Sequence, residues 1–516
     1  MFTKKDIKFL KTKGIDPERL NKQIDEIKAG KKYLDVDRPA TAGDGIFVAS
    51  KDEIDEYINL YEERLSHLKV TKFVPASGAA TRMFKRLAYL RDHYKGNMEE
   101  FIEVSSEKDF YSLKNTFEKL DKFAFYPELF KRFFRRGQNL ERILNKNEYN
   151  KVARMILSKR GLNYRNIPKA LILFHKYPGH SRTAFEEHLV EGKMYCRSKE
   201  NEINIHLTIR NQYRSLFEKR FKHALKHFLD DGDDVKFNLE FSEQSESTSS
   251  IALTEKNKLL RDNDNKLVLR PGGHGALIYN LNSIESDMIF IKNIDNVAPD
   301  TIKHETVRYK KFIGGVMYAY RDKIFSILKR LDKTPLPTDK EWKEILDFVE
   351  NKLHHKCSGN RKAKAVAELK LFLNRPIRVC GMVPNSSEPG GGPFWVNEAK
   401  GKQSLQIVEK NQIDLDNEKS LEMFESSTHF NPVDIVCSTK DYKDKKFNLL
   451  NYRDEKSGMV VKKTEMGQSI KSYEMPGLWN GGMSEWITLF VEVPSITFNP
   501  VKELNDLLRM EHQTAK

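Results

Sequence analysis

The chain is expected to be α/β: a mainly parallel sheet sandwiched by helices, with helical insertions. Three observations predict this. At 516 residues it exceeds one compact domain of ~100–200 residues, which points to two or three lobes. Hydrophobic residues at 39% against 32% charged supply material for a sizeable core. From Ala170 onward, short apolar strands alternate with helical patterns, the texture of a mainly parallel sheet.

Residues 1–70 read as a helical region. Ser50 followed by Glu53 forms a capping box, and Ile54, Tyr57, Ile58, Tyr61 and Leu65 then recur at helical spacing. At Thr71 the texture changes, and an α/β core is expected over 71–300. Lys72-Phe73-Val74 reads as a buried strand, Ser77–Ala80 as a small-residue turn, and Thr81 as a helix start. Residues 95–165 read as a helical insertion. Strands are expected at Leu171–Phe174, Ile203–Ile209, Val235–Phe241, Lys266–Leu269 and Met288–Ile291, with helices around Ala184–Val190 and Gln212–Leu229. Residues 301–375 read as a helical insertion or lid, and 376–516 as the remainder of the core with a last helix near Val501–Met510. Phe-Asn-Pro-Val occurs at 430–433 and at 498–501, and Asn as N-cap with Pro after it reads both copies as helix starts.

Charge narrows the partners. Lys and Arg number 89 against 74 Asp and Glu, a net charge of +15. Between Asp121 and Arg165 stand twelve basic residues and four acidic ones, so over half of the excess lies in the insertion. Phe130, Phe133, Phe134, Tyr149 and Tyr164 interleave with those charges. An amphipathic helical hairpin with core aromatics is the favoured reading. A nucleic-acid track and a positive wall beside a phosphate-rich ligand are the alternatives. No run of ~18 apolar residues predicts a membrane span. Four scattered cysteines without a CxxC pair support neither a disulfide framework nor a zinc knuckle, and the absence of a signal-like start predicts a cytoplasmic protein.

Three segments carry candidate chemistry. In Phe73–Met83 a strand runs into Ser77, Gly78, Ala79, Ala80 and Thr81, and small side chains there let a phosphate reach backbone N–H groups at a helix start, with Arg82 placed to clamp it. No GxxxxGK[ST] occurs, so this is not a P-loop. Lys169, after Pro168, stands at the mouth of a strand. Gly272, Gly273, His274 and Gly275 precede a helix, and the strand Met288–Ile291 leads to Asp295, a carboxylate suited to Mg²⁺ at a ligand crevice. Asp231-Gly232-Asp233-Asp234 reads as a polar turn rather than a metal site. His175, His180 and His188 lack an i, i+4 pair, and His354–Cys357 reads as a solvated helix end. Trp395, Trp479 and Trp486 read first as core anchors.

Taken in order, these segments resemble the sugar-1-phosphate nucleotidylyltransferases, above all the UDP-sugar and UDP-N-acetylhexosamine pyrophosphorylase branch. The resemblance rests on Ser77–Met83, Pro168-Lys169, Phe241–Gln244, Pro271–Gly275 and Asn293–Asn296. The whole chain looks still more like an uncharacterised bacterial domain-of-unknown-function family, through Glu388–Trp395, Thr428–Asp434 and Pro476–Gly481. The resemblance implies a nucleoside-diphospho-sugar transferase-type fold. It also implies reaction of an NTP with a sugar 1-phosphate or similar small phosphate, releasing pyrophosphate. In that role Arg82 holds pyrophosphate, Lys169 neutralises a phosphate, Asp295 holds Mg²⁺, and Gln244 with Gly272–Gly275 reads the base. Asn499 is the first choice for a second metal ligand and Asp434 the next.

The chain also departs from the pattern. Ser77 and Ala80 stand where glycines are usual, His274-Gly275-Ala276 replaces Asn-Gly-Asp, and 87 positions separate Arg82 from Lys169. Two alternatives therefore remain: a catalytically silent nucleotide- or nucleic-acid-binding protein of this fold, and a glycosyltransferase using an NDP-sugar.

Overall fold

A computed structural model of the protein describes residues 2–30, 32–96, 106–229, 232, 234–357, 363–385, 391–398, 401–465 and 468–514. The fold is α/β, with a large, mainly parallel sheet and many helices. The chain forms two units. One comprises Met1–Thr71, Glu243–Ile291 and Lys311–Pro494, and the other Lys72–Ser242, Lys292–Lys310 and Ser495–Lys516.

In the first unit, Ile377–Pro384 runs parallel to Ile487–Glu492 and antiparallel to His429–Ser438; Ile487–Glu492 in turn runs parallel to Gly45–Phe47. Ser50 caps Lys51–Leu65 with Glu53 returning the bond, as the capping box requires. Helices Lys4–Thr12 and Pro17–Ala29 also lie in residues 1–70, but so do strands Val36–Pro39, Thr41–Ala42 and Gly45–Phe47, where only helix was expected. Pro39 cannot donate within a helix, and Gly43 and Gly45 take φ of 80° and 94°, so this stretch leaves helical geometry and pairs with Gly392–Asn397 instead. The expected helical run after residue 301 is Asp300–Lys333, Asp339–Lys352 and Ala363–Leu373.

In the second unit, Glu202–Thr208 and Lys236–Ser242 pair in parallel, and Ala76 N donates to Thr208 O where the strand Val70–Pro75 ends. The basic segment folds as Tyr126–Phe134, Leu140–Asn145 and Tyr149–Leu157. Its Phe133 and Tyr164 join the core around Phe123, Phe174, Phe185 and Phe217, whereas Phe130 and Phe134 are exposed. The amphipathic reading holds for the first pair and misses the second.

Several local expectations are corrected. The strand expected at Leu171–Phe174 begins two residues later, at Leu173, because Lys169–Leu171 turns as a 3-10 helix. The helix expected over Gln212–Leu229 is α-helical only over Arg214–Ala224 and ends in a π-turn. Neither Phe-Asn-Pro-Val starts a helix. The first lies inside His429–Ser438, with Val433 at φ 58° and its N–H donating to Asn431 Oδ1; in the second, Asn499 Nδ2 donates to Ile496 O. Asn is bonding local backbone in both, the capacity that also makes it an N-cap. The last helix is instead two 3-10 turns, Leu504–Leu508 and Met510–His512; Leu504 and Leu507 are buried three apart, a spacing those turns eclipse onto one face. Asp231 and Asp233 of the polar turn, and Glu388–Gly390 of the Gly-rich turn, lie outside the described residues.

Two glycines inside Asp300–Lys333 let that helix approach Lys51–Leu65. A Cβ on Gly315 would stand 1.9 Å from Tyr57 O, and one on Gly314 2.7 Å from the Tyr61 ring. Ala is the better helix former by about 1 kcal/mol, so close approach must outweigh propensity here. Gly315→Ala is expected to lower stability by about 1–3 kcal/mol in a urea melt despite that gain.

Candidate functional site

The strand Val70–Pro75 delivers Ser77–Thr81 to the surface of the second unit, and the chain then turns into the helix Lys85–His93, whose first turn carries no side-chain cap. The helix expected from Thr81 thus begins four residues later, and Lys85 N donates to Arg82 O at 3.3 Å, so its start lies outside the cleft described below. Lys169 N donates to Gly78 O at 3.1 Å, and Ala79 bridges Pro168, so the Pro-Lys turn is laid directly against the small-residue loop. Arg82 and Lys169, 87 positions apart in sequence, thus line the same cleft. Asn293–Asp295, at the end of Met288–Lys292, completes a cleft of about 370 Å3 whose lining includes Gly78–Arg82, Lys169, Asp295 and Lys502.

Charge in that cleft is unbalanced. Arg82, Lys169 and Lys502 face one carboxylate, Asp295, so an anionic ligand is favoured. Lys169 Nζ donates to Asp295 Oδ2 at 2.7 Å, with side chains 13% and 22% exposed. Mg²⁺ takes one or two carboxylates and completes its shell with water and substrate phosphate. A single partly exposed carboxylate at a cationic cleft fits that chemistry. Among the described residues no three His, Cys, Asp or Glu gather into a metal cage.

The other candidates fall elsewhere. Asn499 is buried beside the Asp295 turn: its N–H donates to Asn296 Oδ1 at 2.9 Å, and Val501 N donates to Asp295 O at 3.1 Å. It braces the turn and is not among the cleft-lining residues. Asp434 is buried opposite Gly381 in the first unit. Gln244 and Gly272–Gly275 also belong to that unit, where Gln244 Nε2 donates to Gly273 O at 3.1 Å and His274 stacks on Trp479 with centroids 4.6 Å apart. A Cβ on Gly477 would come within 2.1 Å of the His274 ring, so glycine there permits the stack. Trp395 and Trp486 are buried, as core anchors are.

Sequence reasoning missed the support beneath the cleft. Lys72 and Lys292 are both buried, and Glu191 joins them: Lys72 Nζ lies 2.9 Å from Oε2 and Lys292 Nζ 2.9 Å from Oε1. Burial pulls the Lys72 amine down to about 8 against the attraction of Glu191. Burial alone would raise the Glu191 carboxyl, yet the two lysines hold it well below the usual carboxylate range. His188, one turn earlier, gives its carbonyl to Lys72 and its Nε2 to Ile294 O, next to Asp295. The available signal was a lysine within each of two otherwise apolar strands, Val70–Pro75 and Met288–Lys292. Asn293 was marked only as the first residue of Asn293–Asn296, and Lys502 carried no pattern of its own.

The three histidines do not converge. His175 bonds Glu187 and His512, His188 bonds Ile294 O, and His180 stacks on Tyr177. His355 stacks on Phe372 and is pushed down to about 4 by burial, so His354–Cys357 is not a solvated end. Burial also holds His188 and His512 well below the free imidazole value of 6.5. Above that value neither the folded nor the unfolded imidazole carries a proton. Below it the unfolded chain binds protons that these folded groups refuse, so stability falls with pH by up to about 1.4 kcal/mol per unit for each group. The melting temperature is expected to drop between about pH 7 and pH 5, and His188→Gln should show a shallower drop than wild type.

Among the described residues no helix is long and apolar enough to cross a membrane. Comparison with solved structures finds the UDP-N-acetylglucosamine pyrophosphorylase from Trypanosoma brucei in complex with inhibitor: 12% identity, 95% of this chain and 74% of that one, TM-score 0.46. A mutant UDP-glucose pyrophosphorylase from Leishmania major gives 11% identity, 98% and 77% coverage and TM-score 0.44. A putative UDP-N-acetylglucosamine pyrophosphorylase from Entamoeba histolytica gives 12%, 91% and 82%, and 0.39. At these values the likeness carries no argument, and the site rests on its own side chains. No curated protein sequence matches the chain. Residues 3–513 match a family model, and the chain belongs to that family, described as a domain of unknown function, DUF4301.

Proposed function

We propose that the protein is a nucleotidyltransferase that joins an NTP to a sugar 1-phosphate or similar small phosphate and releases pyrophosphate. The observation that carries this reading is the cleft that brings Gly78–Thr81, Arg82, Lys169 and Asp295 together although they span more than two hundred positions of sequence. The attacking phosphate oxygen is already anionic, so the reaction calls for positioning and charge neutralisation rather than a strong base.

Each side chain has a role in that chemistry. The Gly78–Thr81 backbone and Arg82 bind the departing pyrophosphate, Arg82 with a planar fork suited to two phosphate oxygens. Lys169 neutralises the phosphate undergoing attack. Asp295 would hold Mg²⁺, which when bound supplies charge stabilisation across the phosphates. Lys502 adds a third cation at the cleft. Asn499 acts through the Asp295 turn as a positioning residue. The base-reading role of Gln244 and Gly272–Gly275 is a separate proposal, tested by whether Gln244→Ala changes the preference among ATP, CTP, GTP and UTP.

Lys169→Ala and Asp295→Ala are each expected to cut pyrophosphate release from an NTP and a sugar 1-phosphate by about a hundredfold or more, a far larger effect than their change in melting temperature. Wild type should show a Mg²⁺-dependent rise in melting temperature with at least one NTP, lost in Asp295→Ala. Full turnover in either variant removes that residue from the mechanism. NDP-sugar hydrolysis without pyrophosphate exchange would favour the glycosyltransferase reading, and NTP binding without turnover the silent one.

A further inference from the structure

The second unit holds another cleft, of about 850 Å3, that shares no lining residue with the one around Lys169 and Asp295. The basic helix Tyr126–Phe134 contributes to one wall and the helix Arg214–Ala224 to another. We propose that this cleft is a second ligand site for a phosphorylated, hydroxyl-bearing metabolite.

Charge is the first argument. Lys131, Arg132, Lys176, Lys219 and Arg220 line the cleft against Glu128 alone. Lys131 pairs with Glu128 at 3.1 Å and Arg220 approaches Glu186 at 3.7 Å. Arg132, Lys176 and Lys219 make no ion pair among the described residues. Gathering unpaired cations around one cavity costs self-repulsion, which a bound phosphate relieves. The size lies within the range of small-molecule pockets, and Leu162, Leu171 and Leu173 give it the apolar surface such pockets use.

His180 supplies a second, independent argument. Its ring stacks between Tyr177 and Phe228, at 5.2 and 5.3 Å. Nδ1 lies 3.3 Å from Pro178 O, a group that only accepts, so Nδ1 carries the hydrogen. Nε2 is buried and has no hydrogen-bond partner among the described residues. In the neutral ring favoured by burial and by Arg182, that nitrogen is an acceptor without a donor; a ligand hydroxyl would supply one on displacing the groups that now cover it, and a bare phosphate at neutral pH would not. The same stack argues against single-stranded nucleic acid. The rings of His180 and Tyr164 are thereby closed to a base, His180 by its stacking neighbours and Tyr164 at 4% exposed.

The test needs no nucleotidyl transfer. Calorimetric titration of the intact Asp295→Ala protein without divalent metal would use glucose 6-phosphate, ATP and inorganic tripolyphosphate as probes. At least one hydroxylated phosphate should bind. Adding Arg132→Gln and Lys219→Gln should weaken it about tenfold or more, as expected from losing charge-assisted hydrogen bonds. His180→Phe keeps a stacked ring, so it should weaken the hydroxylated probe and leave tripolyphosphate unchanged. Because the two replaced cations are unpaired, the melting temperature should not fall; if it does, Lys176→Gln carries the same comparison. Three outcomes would overturn the proposal: no hydroxylated phosphate binding at millimolar concentration, affinities unchanged in the charge variants, or oligothymidylate binding more tightly than either metabolite through Arg132 and Lys219.

Discussion

Glu191 is the residue on which the Lys169–Asp295 cleft most depends. It is buried with two lysines, Lys72 and Lys292, and a charge left unpaired there would be costly. Its helix, Ala184–Tyr195, is thereby tied to residues of the two strands whose ends supply the cleft. One strand leads to Ser77–Thr81, the other to Asn293–Asp295. His188, on the same helix, bonds the last carbonyl before Asp295. Packed hydrophobic residues would stabilise such a junction as well or better. The ionic triad adds geometry, because two ammonium groups on one carboxylate fix the helix and both strand ends together.

A second buried carboxylate braces the same helix. Glu187 accepts from His175 Nδ1 at 2.9 Å, from the Tyr177 hydroxyl at 2.7 Å and from Lys303 at 2.6 Å. Burial would raise its carboxyl, but Lys303, His175 and Arg182 hold it well below the carboxylate range. His512 lies 2.9 Å from the far nitrogen of His175, so the chain's last turn is joined to this group. Successive residues of one helix thus serve different tasks. Glu186 returns the N-terminal cap, Glu187 gathers His175, Tyr177 and Lys303, His188 holds the Asp295 turn, and Glu191 holds Lys72 and Lys292.

What the sequence made legible follows from the range of each interaction. The capping box at Ser50 and Glu53 is local, and the alternation of strands and helices reports burial residue by residue, so both could be read. The cleft set of Gly78, Arg82, Lys169 and Asp295 was legible through ordered motifs, although its closeness depends on folding an 87-position detour. Lys72–Glu191–Lys292 has no local spacing, and only the oddity of a lysine in an apolar strand marked it. The Phe-Asn-Pro-Val copies erred for a different reason. Asn bonds nearby backbone in caps, strands and turns alike, and tertiary pairing with Gly381–Pro384 or Asn296 decides which.

The Lys169–Asp295 bond also bears on how the proposed chemistry would begin. At 2.7 Å the two groups satisfy one another, so neither is an idle charge at the cleft. A phosphate reaching Lys169 offers the ammonium a second anion and loosens its hold on the carboxylate. Arg82 and Lys502, which share no carboxylate of this kind among the described residues, stay available to the same anion. Freed in part from Lys169, Asp295 would gain cation affinity at the moment phosphate oxygens arrive beside it. On the proposed function, anion and divalent cation therefore favour one another's binding, and that coupling is reciprocal by thermodynamic linkage. On that reading the ion pair neutralises the carboxylate without ligand and would exchange partners as ligand enters, so charge would be redistributed within the cleft instead of being created there.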